Sequence, residues 1–533
     1  MKLIQKLESS FYIQLFTLII IALIFYWPSL LGGTIFIDDD GFIFKSAPMI
    51  ESNNPLHFWD RSTSYARSWP LSYTIFWLIY QFAKTHYWIY KLINLCLHIF
   101  NALLITKVFK KLATNRQLML AALIYLIHPI QIETVSWIFQ LKTILATTFF
   151  LLSYQVFQLF LERRNIFIYT GALYLYLFSL LSIVSAVLLP VLILYETLKK
   201  FHYKSYLPWV IVLPFFLLSF RIGFDSSEAV SKLHLDERLS IDFNKEVKPK
   251  SPAIHEETEK KKTAPLIKTV EKKIKIAFTN LSYYLSHFFF PVKLSIVQED
   301  VTKTNLANIT SWIFCACLLL FILLNYFILK IEITTELYLF IFFLLSILPI
   351  LGFVHIPFMN FSLVADHWIY LGMAPFCLLT VILFERINKS YKILITVFFV
   401  VFWSYQSLTY IHVFNHRYKL LERVITMSPH DYRFPMELAT TLLKDKKLPQ
   451  AQKVIEAALE KPPLKNNMTL LLQGGYIDRQ LGDKQKLSKK IFQIGMIYIK
   501  NNEFEKATLM LEQLKEVSSD KNLISSLENS LKK

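Results

Sequence analysis

FYIQLFTLIIIALIFYWPSLL, Phe11 to Leu31, runs for twenty-one residues without a charge. About 18 apolar residues are enough to cross a bilayer as a helix. ITSWIFCACLLLFILLNYFIL (309–329) reads the same way, and the chain around these runs is 54% hydrophobic over 533 residues, with a mean hydropathy of +0.42. The fold class that follows is all-α, a polytopic membrane helix bundle. Lys2 and Lys6 precede the first run as in a signal peptide. The run is longer than an h-region and no small-residue cleavage pattern follows it before Asp38, so it reads as a retained anchor.

Working outward, about eleven spans are expected. They fall near 11–31, 88–106, 117–128, 140–161, 166–183, 184–198, 206–223, 309–329, 336–354, 368–385 and 391–411. Runs at 70–83 and 276–290 read as interfacial. The net charge of +18 does not require a nucleic-acid partner, because the basic residues gather in short loops. Lys107, Lys110, Lys111 and Arg116, then Arg163 and Arg164, then Lys199, Lys200 and Lys204, then Arg386, Lys389 and Lys392 mark the cytoplasmic side with the N-terminus. The external loops are then 32–69, 128–139, 224–308 and 355–367, and the Lys/Glu-rich part at 230–265 reads as disordered. An odd span count puts the C-terminal region outside too. Residue usage suits an AT-rich genome, and the expected location is a bacterial inner membrane with a periplasmic active face.

Residues 1–412 therefore form the membrane domain, and 413–533 change to soluble amphipathic helix. There, Leu438, Ala439 and Leu442 precede Ala451, Ile455 and Ala458, while Ile494, Gly495 and Tyr498 precede Ala507 and Leu511. A small residue followed twelve positions on by Ala matches the ~34-residue tetratricopeptide pattern. Ala451 and Ala507 are 56 residues apart, so the repeats are degenerate and the helices at 465–486 are expected to be irregular. Cys96, Cys315, Cys317 and Cys377 lie in apolar runs and read as core packing, with no metal spacing. Glycine is scarce, and no Walker or Rossmann fingerprint appears.

The polar residues of the membrane part converge on the external side. They are Asp38, Asp39 and Asp40 after the first span, His128 and Glu133 in HPIQIETVSW, Arg221 at the end of the seventh span, and Asp366 and His367 in ADHWIYLG. Acids, histidines and an arginine at one face of a bundle suggest a site at the membrane boundary. A carboxylate can act as general base, a pair can hold a divalent cation, and Arg or His can bind phosphate. Glycosyl transfer and proton-coupled transport both need such parts, and the residues alone leave both open. Asn94, His98 and Asn101 share one helix face and read as interhelical hydrogen-bonding groups; Trp137 and Trp368 read as interfacial anchors.

RSWPLSYTIFWLIYQF, INLCLHIFNALL, LIHPIQIETVSWI, VADHWIYLG and the terminal repeats occur in this order. Together they resemble the transmembrane and tetratricopeptide-repeat proteins of the GT-C glycosyltransferase superfamily, relatives of the protein O-mannosyltransferases. That resemblance implies inverting transfer of a sugar from a polyprenyl-phosphate-linked donor to a hydroxyl acceptor, on a protein or an envelope glycan, at the non-cytoplasmic face. It passes the catalytic carboxylate role to Asp38 first and Asp39 second, with Ile37 in the family's aromatic place. It gives donor-phosphate binding to Arg221 and His367, and acceptor or metal orientation to His128, Glu133 and Asp366; whether a divalent metal takes part stays open. The repeats would present the acceptor or bind a protein partner.

Several positions depart from the family pattern. Leu141 and Lys142 stand where an Arg is common, Ser182, Ile183 and Val184 replace a Ser-Lys-Glu stretch, Ser68 and Trp69 replace Tyr-Arg before Pro70, and His367 replaces an Arg. A non-catalytic membrane scaffold that recruits partners through its repeats is therefore the alternative. A transporter reading is weaker, because the spans carry almost no acids.

Overall fold

The computed structural model describes residues 11–33, 38–60, 69–201, 206–232, 266–298, 334–353 and 356–532. Lys2, Lys6, Ile37, Arg67, Ser68, Lys204, the expected span 309–329 with Cys315 and Cys317, and 233–265 of the polar segment lie outside them. Among the described residues every regular element is helical. The chain divides into two compact units, Met1–Arg417 and Tyr418–Lys533.

The longer helices of the first unit are α1 (Phe11–Leu30), α2 (Pro70–Ala83), α3 (Tyr87–Val108), α4 (Asn115–Ile127), α5 (Gln131–Ser136), α6 (Leu141–Arg163), α7 (Ile166–Ser182), α8 (Leu189–Lys200), α9 (Leu207–Lys232), α10 (Leu266–Phe289), α11 (Thr335–Ile347), α12 (Met373–Glu385) and α13 (Lys389–Phe414). Three segments among the described residues are long and apolar enough to cross a membrane: Tyr87–Val108, Ile138–Arg163 and Tyr391–Phe414. The expectation of about eleven spans is corrected to that extent. The other apolar helical stretches among the described residues are shorter, at 10–17 residues. A 13-residue helix such as α4 reaches only ~20 Å, against a hydrocarbon core of ~30 Å.

Local chemistry cuts these runs short. α4 starts at a capping box, in which Thr114 Oγ1 accepts from the Gln117 N–H (3.3 Å) and Gln117 Oε1 accepts from the Thr114 N–H (2.8 Å). It ends at His128, before Pro129, which cannot continue the ladder. α6 stops at Arg164 in the left-handed region (φ 52°), and Asn165 then caps α7 by accepting from the Phe167 N–H at 2.8 Å. The uncharged stretch 166–195 is split at Ile183, which is extended, and resumes through a 3-10 turn at Val184–Ala186.

α4 packs against α3 and α12, and α3 packs against α1 and α6. The last carbonyls of α4 have no partner within the helix, and other helices supply donors. Tyr26 of α1 donates to the Leu126 carbonyl (3.2 Å), where His98 Nε2 of α3 also lies at 3.1 Å, and Ser407 of α13 donates to the Ile127 carbonyl (2.7 Å). The Asn94–His98–Asn101 face is spent the same way. Asn94 donates to the Val135 and Trp137 carbonyls, and Asn101 to the Ile144 carbonyl and the Tyr370 hydroxyl. By contrast, α13 leaves Leu394, Val401 and Tyr405 more than 60% exposed, an apolar stripe of the kind a bilayer-facing helix presents.

The second unit stacks α14 (Arg417–Met427), α15 (Arg433–Lys444), α16 (Leu448–Leu459), α17 (Met468–Leu481), α18 (Lys484–Lys500), α19 (Phe504–Val517) and α20 (Lys521–Lys532). From α15 on, each helix packs on the next, and α18 also packs on α20. α17 corrects the expectation of irregular helices at 465–486. Asn467 caps it by accepting from the Leu470 N–H (3.1 Å), and Gly482 ends it in the left-handed region (φ 72°). Small residues set the helix spacing: a Cβ on Gly495 would lie 3.0 Å from both Leu527 methyls. Asp478 and Lys490 form a buried ion pair at 2.6 Å, and Gln452 donates to the same carboxylate at 2.9 Å, tying α16, α17 and α18 together.

Candidate functional site

The site is built where several helix ends meet. Lys91 of α3, 2% exposed, donates to the carbonyls of Ser29 (3.2 Å), Gly32 (3.2 Å) and Gly33 (3.0 Å). A cation there satisfies the orphan carbonyls of α1 and complements its dipole. The chain then turns through Asp38 and Asp39 into a π-turn at Asp40–Phe44. Asp39 is fully buried, accepts from the Phe139 N–H at 2.9 Å and is an electrostatic partner of Lys91. Asp38 is half-buried. The two acids are thus distinct: Asp39 is buried and holds the turn, and Asp38 is only half-buried.

Phe139 organises the floor. Phe42 stacks on it at 4.9 Å and Phe76 at 5.7 Å. The Lys142 ammonium lies 3.6 Å from the Phe139 ring centroid and 4.4 Å from that of Trp69. Lys142 is only 6% exposed, so its charge is held at the site rather than in bulk water.

Glu133 comes from α5, which Asn94 fixes through its carbonyl bonds. Asp366 and His367 come from a 3-10 turn, Asp366–Ile369. α10 holds the approach to that turn: Asn280 donates to the Leu351 (3.2 Å) and Leu363 (3.1 Å) carbonyls, and the Ala365 N–H donates to the Tyr284 hydroxyl (3.3 Å). Gly352 sits at φ 107°, where any Cβ would also fall 2.7 Å from Ile276 of α10. The outcome is a hydrogen bond between Glu133 Oε1 and His367 Nδ1. Tyr283 donates to Asp366 Oδ1 at 3.3 Å.

Burial dominates the electrostatics. It pushes Glu133 well above the usual carboxylate range, against the hydrogen bond from His367. Asp366 is raised by burial and then by the charge of Glu133. His367 is pushed down to about 3 by burial first and Lys142 second, while Asp38 pulls the other way. The imidazole therefore lies in the fields of both Lys142 and Asp38.

The structure brings Asp38, Glu133, Asp366 and His367 together, with Asp39 beside them. Arg221 is exposed on α9, which packs against α7, α8 and the 184–186 turn, and none of these carries one of the acids. His128 serves the fold: its Nε2 lies 2.8 Å from the Phe288 carbonyl, its Nδ1 accepts from the Ile130 N–H (3.3 Å), and its ring stacks on Phe288. Trp137 is fully buried with its ring on His367 at 5.6 Å, which corrects its reading as an interfacial anchor. Lys142 was visible in the sequence only as the neighbour of a missing Arg; the signal was a lone Lys at the head of an apolar run. Among the described residues no group of three His, Cys, Asp or Glu is placed to hold a metal ion, and Cys96 and Cys377 are free thiols.

No family model, curated protein or solved structure matches this chain.

Proposed function

We propose that this chain is an inverting glycosyltransferase of GT-C type, a multi-span membrane enzyme with a tetratricopeptide-like domain, acting at the non-cytoplasmic face. It moves a sugar from a polyprenyl-phosphate-linked donor to a hydroxyl acceptor. The observation that carries this reading is His367: its imidazole bonds Glu133, adjoins Asp366, and feels both the half-buried carboxylate of Asp38 and the buried ammonium of Lys142. A base and a cation that both act on one buried group are what attack by a hydroxyl and departure of a phosphate require.

Asp38 takes the proton of the acceptor hydroxyl. Lys142, in place of Arg221, meets the donor phosphate and stabilises it as it leaves. The rings of Trp69 and Phe139 hold the Lys142 ammonium in place for that task. Asp39 keeps the Asp38 turn against Phe139. The stacked helices of the second unit suit recruitment of an acceptor or partner protein. If that recruitment were the whole function, the chain would be a scaffold, indifferent to Asp38.

The test is sugar transfer from a labelled polyprenyl-phosphate sugar in membranes carrying wild type or Asp38→Asn. Loss of transfer in the variant supports the proposal. Transfer at wild-type rate in both refutes the mechanism, and none in either favours the scaffold.

A further inference from the structure

Four buried polar atoms near His367 have no protein partner among the described residues: Glu133 Oε2, Trp137 Nε1, Asp366 Oδ2 and His287 Nε2. Their residues are joined through His367 and Tyr283, and Asp366 lies in the field of Glu133. Glu133 bonds His367, whose ring meets Trp137 at 5.6 Å. Asp366 is bonded by Tyr283, whose ring stacks on His287 at 4.2 Å. Glu133, Trp137 and Asp366 are each at most 1% exposed. A fold does not leave several such groups together without something to bond them, because each unmet group carries its full desolvation cost.

The chemistry of the set selects the ligand. Burial disfavours charge on both carboxyl groups and on His287, so the set offers a phosphate no cation to neutralise it. An indole N–H cannot ligate a metal ion, since it donates only. A sugar hydroxyl both donates and accepts, so neighbouring hydroxyls can bond two carboxyl oxygens and an N–H at once. We infer that Glu133, Trp137, Asp366 and His287 form a subsite for a neutral, hydroxyl-rich ring, a pyranose, apart from the phosphate position at Lys142. This deepens the proposed transferase reading and rests on it for the source of the sugar.

The test uses the full chain in lipid nanodiscs and reads binding by saturation-transfer NMR. The probes are free glucose, mannose, galactose and N-acetylglucosamine, with inorganic phosphate as competitor. At least one monosaccharide should bind saturably, and phosphate should not displace it. Trp137→Phe, which keeps the ring and removes the N–H, and Asp366→Asn should each weaken binding about tenfold. Arg221→Ala should bind as wild type does. Glu133→Gln carries the test if Trp137→Phe does not fold, as judged by its helical circular dichroism. Absence of saturable binding by every sugar, or variants that bind as tightly as wild type, overturns the inference. Wild type that binds sugar but transfers none removes the transferase reading and leaves the subsite. A transferase whose Trp137→Phe and Asp366→Asn variants keep both KM and sugar binding does the reverse.

Discussion

Glu133 and His367, 234 residues apart in the chain, share a hydrogen bond in a region closed to solvent. Burial pushes them towards their uncharged forms from opposite sides, the acid upward and the imidazole downward. The linkage signs therefore differ. His367 is held low, so the unfolded chain binds the extra proton, and stability falls as pH drops from 6.5 towards 3. Glu133 is held high, so the folded chain binds the extra proton, and stability falls as pH rises above 4.5 towards the folded value. Glu133→Gln should flatten the alkaline side of the thermal-stability profile and leave the acid side. A variant whose alkaline limb matches wild type would show that Glu133 is already ionised in the fold.

The adjacent acids should separate cleanly. Asp39→Ala removes the acceptor of the Phe139 N–H and the partner of buried Lys91, and should cost about 3–5 kcal/mol. Asp38→Asn should abolish sugar transfer while changing stability by less than about 1 kcal/mol. Unfolding midpoints in detergent, set beside transfer rates in membranes, check both.

Lys142→Met keeps the bulk over Phe139 and removes the charge. With the phosphate held there, transfer should fall about 10²–10³-fold, mainly in kcat. Arg221→Ala should leave transfer near wild type. A large loss at Arg221 with none at Lys142 would return the phosphate to α9.

In the second unit, Asp478→Ala strands the Lys490 ammonium among α16, α17 and α18. A cost of about 3–5 kcal/mol is expected, read as lost hydrogen-exchange protection across 448–500. Gly495→Val should cost about 1–3 kcal/mol by the same measurement, because Leu527 has no room to retreat without unpacking α20.

Much of this was legible in the residues. The expected spans that fall on described residues coincide with helices, because apolarity and capping residues such as Thr114 and Asn165 are local signals. Their lengths were not legible, since a run of apolar residues says nothing of where hydrogen bonding stops, as Ile183 shows. At the site, Glu133, Asp366 and His367 stood out as polar groups in apolar surroundings. Lys142 and Trp137 did not, because their roles come from partners far along the chain, and Lys and Trp at the head of an apolar run usually mark a membrane surface. His128 misled for the same reason: whether a histidine is spent on a backbone carbonyl depends on where Phe288 lies.

The Ser407 hydroxyl that completes the end of α4 has a consequence for biosynthesis. It reaches the Ile127 carbonyl from 280 residues downstream. At ribosomal speeds of ~5–20 residues per second, that carbonyl waits tens of seconds after emergence for its donor. Throughout that interval the end of α4, which leads into the helix of Glu133, lacks a donor that the finished fold supplies. Translation past residue 407 therefore completes the hydrogen bonding at the end of α4, after every residue of the acid cluster has already been made.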